Sequence, residues 1–110
     1  VFYDLLAKRR DLNLENSLII RLEQLYPIPE LELKKIFKKY ENIKNIIWCQ
    51  EEPSNQGAWH MIQHFLRACF ANDSQVLSYA GRPAFASPAV GYPALYKAQQ
   101  EKLIQEALGL

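Results

Sequence analysis

The chain has 110 residues, 49% apolar and 23% charged, with 13 Lys and Arg against 12 Asp and Glu. That balance excludes a disordered, collagen-like or low-complexity chain and supports one domain, residues 1–110, with a packed core. A formal charge of +1 gives no electrostatic ground for nucleic acid or an anionic membrane face, and no apolar run approaches the ~20 residues that span a bilayer.

Val1 is not an initiator Met, which leaves room for an upstream region. Phe2, Leu5 and Leu6 recur at i, i+3 and i+4, and Arg9 and Arg10 follow where a helix C-terminus favours cations. This predicts a first helix from Phe2 to Arg10, then a polar turn over 11–16. Residues 18–22 (Leu-Ile-Ile-Arg-Leu) read as a strand covered on both faces. Tyr26-Pro27-Ile28-Pro29 breaks the chain.

A second helix follows, with Glu30 and Glu32 in its first turn and Leu33, Ile36, Phe37 and Tyr40 as its apolar stripe. Lys34, Lys35, Lys38 and Lys39 crowd its later turns. They are interspersed with the stripe, so a solvated helix face is a better reading than a nucleic-acid patch. Residues 45–49 form the next predicted strand and 51–55 a loop. A third helix is predicted over 56–70, with Ser54 or Asn55 as N-cap. Gln75 to Tyr79 is a third strand, and 81–92 an ordered loop. Pro93 suits the first position of a last helix reaching Leu108.

Strands separated by helices argue an α/β chain with a mostly parallel sheet and helices on both faces, three layers α/β/α. The first helix opens with no strand before it, so a first strand of the sheet is expected upstream.

The candidates for chemistry are few. Two cysteines, Cys49 and Cys69, are too few for a disulfide scaffold or a zinc site, and a reducing compartment is the simpler reading. Cys49 sits in a strand with no motif placing a His beside it. His60 and His64 share a helix face, but Met61 stands where a metal-water base would be needed, so no metal site is read. Glu51 and Glu52 lie past a strand end, where open α/β sheets bind ligands. Neighbours on an extended chain point opposite ways, so capping, an interface contact or fixing the loop fits them better than paired acid–base work. Asn55 and Trp59 belong to the same loop-fixing or interface group. The stretch from Gly81 to Gly91 is rich in small residues, and its backbone N–H groups can approach an anion, with Arg82 supplying charge. A structural crossover loop is the alternative, as is an ion pair from Arg82 to Glu51 or Glu52. No catalytic residue is read, and no Gly-Asp-Gly diphosphate–metal motif occurs.

Three segments carry a resemblance: residues 21–27 (RLEQLYP), 48–59 (WCQEEPSNQGAW), and 79–83 with 86–92 (YAGRP, ASPAVGY). Together they resemble the C-terminal domain of the thiamine-dependent decarboxylating component of bacterial 2-oxoglutarate dehydrogenase complexes. The opening VFYDLL and the close from Gln99 to Leu108 fit too, so the likeness covers the whole chain. These words separate it from transketolase and the pyruvate dehydrogenase β subunit.

The resemblance implies a transketolase C-terminal-domain-like fold, with a strand just before the first helix. It implies a cytoplasmic bacterial oxidoreductase of the tricarboxylic acid cycle that decarboxylates 2-oxoglutarate. Thiamine diphosphate and Mg would be bound outside this chain, with none in it. The implied partners are a second copy in a homodimer, the succinyltransferase component that takes the succinyl group on its lipoyl arm, and an AMP or acetyl-CoA effector near Arg82 and Ser87. The isolated chain is expected to be inactive. The alternatives are a non-catalytic nucleotide or acetyl-CoA sensing module, or the C-terminal domain of another transketolase-like enzyme.

Overall fold

Six elements are built from these stretches: α1 (Phe2–Asp11), α2 (Glu30–Lys39), β1 (Asn45–Pro53), α3 (Trp59–Ala68), β2 (Val76–Arg82) and α4 (Pro93–Ala107). The structure, a computed structural model, describes residues 1–84 and 93–110. Helix α1 is stopped by Asn13, which takes a left-handed φ of 52°. Asn13 N–H donates to the Arg10 carbonyl and Leu14 N–H to that of Arg9. This closes the last turn, and Asn tolerates the conformation better than branched residues do. Gly109, at φ 75°, ends α4 in the same way, with bonds to Glu106 and Gln105.

β1 and β2 pair in parallel, with Ile46 opposite Leu77 and Trp48 opposite Tyr79. Helix α3 is the crossover that a parallel pair requires. Side chains alternate along β2, so Tyr79 and Arg82 leave opposite faces. Tyr79 meets Trp59 of α3, ring centroids 5.1 Å apart. Arg82 reaches Gln100 of α4. Helices therefore cover both faces of the sheet, as the alternation of elements predicts.

The core on the α3 side is Leu33 and Phe37 from α2, Ile62 and Leu66 from α3, Cys69 and Leu77. Ile62 has no exposed surface. Each such side chain stabilises the fold by roughly 1.5–3 kcal/mol. Phe37 and Phe70 meet edge to face at 5.3 Å. On the other side Ala80 and Leu103 are buried, and α1 packs on α4. Only Leu5 of the predicted α1 stripe is buried; Leu6 stays 37% exposed.

Several boundaries differ from the sequence reading. Residues 18–22 are not a strand: 17–25 pair with no ladder among the described residues. Burial alternates from Ser17 to Ile20 as in an extended chain, but a strand exists only beside a partner. Residues 51–53 are not loop but the end of β1, and Gly81 and Arg82 end β2. Helix α3 starts at Trp59, capped by Ala58 with no side-chain bond, so neither Ser54 nor Asn55 is its N-cap. The extra length of β1 pushes the helix start along the chain.

Candidate functional site

The strand ends gather most of the residues that the sequence singled out. Between the pairs Cys49–Ala80 and Pro53–Arg82 the register slips: four steps on β1 match two on β2. The surplus bulges out over residues 50–52. A bulge leaves main-chain groups unpaired, and buried ones need partners.

Three side chains supply them. Gln50, 5% exposed, donates from Nε2 to the carbonyls of Glu52 (3.1 Å), Pro53 (3.0 Å) and Gln56 (2.8 Å). Its Oε1 accepts from Trp48 Nε1 at 2.8 Å. Tyr79 Oη donates toward the Arg82 carbonyl at 2.9 Å and lies 3.2 Å from that of Glu52. Arg82 Nη1 donates to the Glu51 carbonyl.

Arg82 itself is 4% exposed. Its Nη2 donates to Gln100 Oε1 at 2.6 Å, and its guanidinium carbon sits 4.1 Å from the Tyr96 ring centre. Gln100 Nε2 continues to Asp4 Oδ2 at 3.2 Å. One guanidinium thus links β1, β2 and α4, and through Gln100 reaches α1. Arg82 Nε and Gln99 Oε1 are buried without a partner among the described residues.

The alternative for Arg82, an ion pair to Glu51 or Glu52, is a main-chain contact instead: the Glu51 carbonyl, not its carboxylate, accepts. The Glu51 carboxylate accepts from the Val1 amino group. Glu52 is exposed while Glu51 is half-buried, in keeping with opposite directions on a strand. Trp59 packs against Tyr79 with the ring planes tilted by 46°, and Asn55 is exposed. Ser87 lies outside the described residues.

Two glycines are fixed by this packing. A Cβ on Gly81 would stand 2.3 Å from Tyr79 Oη and 2.9 Å from the Gln50 carbonyl. Gly57, at φ 67°, faces the Gln50 amide and the Glu52 carboxylate, each 3.1 Å from where its Cβ would be. Burial pushes the Tyr79 hydroxyl up from its ordinary pKa and the Cys49 thiol up to about 11. Thiols are nucleophiles as thiolates, so Cys49 is held in its unreactive form near neutral pH.

His60 and His64 are both exposed on α3. Among the described residues no three of His, Cys, Asp and Glu gather as metal ligands. Nor is any described helix long and apolar enough to cross a membrane. The strand-end cluster holds backbone in place; it offers neither an activated nucleophile nor an acid–base pair.

The profile of the 2-oxoglutarate dehydrogenase C-terminal region matches residues 1–108. This chain belongs to that family. Its relatives include the "2-oxoglutarate dehydrogenase E1 component" of Coxiella burnetii, 56% identical over 98% of this chain. Those of Azotobacter vinelandii and Haemophilus influenzae are 50% and 49% identical, over 97% and 98% of it. The chain spans only 11–12% of the length of these relatives. For a member of the 2-oxoglutarate dehydrogenase C-terminal family, the strand-end words thus encode a bulge and its brackets. Gln50 and Gln75 were missed by sequence reasoning; the available signal was an amide beside an apolar strand.

Proposed function

We propose that this chain is the C-terminal domain of a 2-oxoglutarate dehydrogenase decarboxylating component, with a structural and dimer-building role. The family match over residues 1–108, with 56% identity to one protein of that name, carries the reading. The parent enzyme decarboxylates 2-oxoglutarate and passes succinyl to the succinyltransferase component of a cytoplasmic complex. On this reading thiamine diphosphate and Mg are bound by other parts of the longer polypeptide, and no step of the reaction is assigned to this chain. Its transketolase-like kinship is supported by the parallel pair and the helices on both faces.

A second reading, an anionic effector such as AMP or acetyl-CoA at Arg82 and Ser87, has one observation in its favour. Arg82 Nε is buried and unpartnered among the described residues. Against it, Nη1 and Nη2 are already engaged.

The test is turnover of 2-oxoglutarate with thiamine diphosphate, Mg and ferricyanide. The 110-residue chain should show none, and the longer polypeptide cut back before Val1 should lose its dimer and its activity. Turnover by the isolated chain, or a fully active dimer without it, would overturn the reading. Titrating AMP and acetyl-CoA into the longer polypeptide and its Arg82→Ala variant tests the second reading. Equal binding by both proteins, or none by the unaltered one, would remove it.

A further inference from the structure

Helix α3 carries a second cluster, on the side away from the core. Ile62 and Leu66 are buried and fix the inward direction of the helix. At about 100° per residue, His64 stands nearly opposite them. His60 lies about 40° to one side of His64 and Met61 about 60° to the other. Both histidines are exposed, and Met61 is 49% exposed. Residues three and four apart on a helix have Cβ atoms about 5–6 Å from each other. His60 and Met61 are both such neighbours of His64. Two imidazole nitrogens and one thioether sulfur can therefore close on a single ion.

The surroundings leave these donors free. Neither imidazole has a hydrogen-bond or ion-pair partner among the described residues. Helix α3 carries no Asp or Glu. Its one cation, Arg67, donates to Gln63 Oε1 at 3.2 Å. The His64 ring packs on Phe65, centroids 4.0 Å apart, which limits its rotation.

As a hydrolytic zinc centre the pair fails at Met61, because a thioether cannot act as a base. Structural zinc is no better served: its sites are built from thiolate, imidazole and carboxylate, and only the two imidazoles stand here. For a soft ion the same Met61 sulfur is a ligand. Copper accepts both thioether and imidazole, and three neutral donors suit its low-charge form. We infer that His60, Met61 and His64 form a surface site for a cuprous ion.

Met61 is the only methionine of the chain, and His60 and His64 are its only histidines. Their NMR signals therefore report the three donors without ambiguity. Cu(I) added to the chain without oxygen should shift the Met61 methyl and both imidazole signals together, saturating at one ion per chain. Capture by the thiols of Cys49 and Cys69 would leave those signals in place and overturns the site. Met61→Leu removes the sulfur and keeps the helix. It should weaken Cu(I) binding at least about tenfold and leave Zn2+ binding by the histidine pair unchanged. His64→Gln, at the shared neighbour, should abolish both. Equal Cu(I) affinity with and without the sulfur overturns the assignment to a soft ion. The spacing exists only in the folded helix, so bound Cu(I) should also raise the unfolding midpoint. A midpoint that Cu(I) does not raise overturns a site built by the fold.

Discussion

The strand-end cluster and the opening beside β1 stand in contrast on one sheet. At the strand ends the ladder breaks over a bulge, yet Gln50, Tyr79 and Arg82 satisfy the freed carbonyls from within. Beside the first half of β1 an opening is lined by Leu33, Phe37, Leu66 and Leu77, with Gln75 and Ser78 among them. Leu18 and Ile20 on its wall are still 47% and 42% exposed. The closed region is polar and the open one mostly apolar. An irregular backbone can be repaired locally by side chains, whereas apolar side chains still in water are settled only by cover from elsewhere.

The largest effect is expected from Arg82→Ala. It strips the Glu51 carbonyl and Gln100 Oε1 of their donor and leaves a void beside Tyr96. Both orphaned groups are partly buried, and such groups cost about 1–3 kcal/mol each, so a loss of about 3 kcal/mol in denaturant unfolding is expected. A loss under ~1 kcal/mol would mean that the cluster is not closed by this arginine.

Gly81→Ala comes next. The new methyl would displace the Tyr79 ring from Trp59 or push against the fixed Gln50 carbonyl. Overpacking of this kind costs about 1–3 kcal/mol. Tryptophan fluorescence should report the displaced ring, and an unchanged midpoint would show that the tyrosine swings free without penalty.

Ile20→Ser sharpens the contrast from the other side. In the 110-residue chain it should cost under ~1 kcal/mol, because the side chain is already partly in water. In the longer polypeptide the cost should be at least twofold larger if the opening is covered. Equal costs in both would mean that the wall stays wet.

The smallest effect is a pH slope. The folded pKa of Cys49 is raised to about 11 from 9.0, chiefly by burial. The folded state therefore keeps its proton where the unfolded state loses it. The stability this gives is fully present below pH 9 and falls as pH rises toward 11. Cys49→Ala should flatten that slope; an unaltered slope would place the titration elsewhere.

Much of the fold was legible in the sequence. Leu33 and Phe37 recur at helical spacing and are buried, and the apolar runs at 46–49 and 76–80 form the paired strands. The run at 18–22 shows what a pattern cannot say: hydrophobicity marks a chain that wants cover, but pairing depends on which neighbour is present. The site was legible as words and not as roles. Arg82 reads as a surface anion receptor because arginine is seldom buried, and only the bulge explains why one is needed inside. Gln50 gives no periodic signal, since its task is set by carbonyls that a regular strand would have paired.

Gln75 has a consequence of its own. Its Nε2 lies 3.2 Å from the Ile43 carbonyl and 3.5 Å from that of Phe37, and its Oε1 accepts from Ala71 N–H at 2.7 Å. It stands one residue before β2, where Val76 N–H first meets Lys44. A parallel strand can slide along its neighbour, and a slip of one residue would turn Ser78 inward and Leu77 outward. Apolar contacts fade gradually during such a slide; these directional bonds do not, because they fit a single position. Gln75 thus acts as an indexing pin that admits β2 in one alignment.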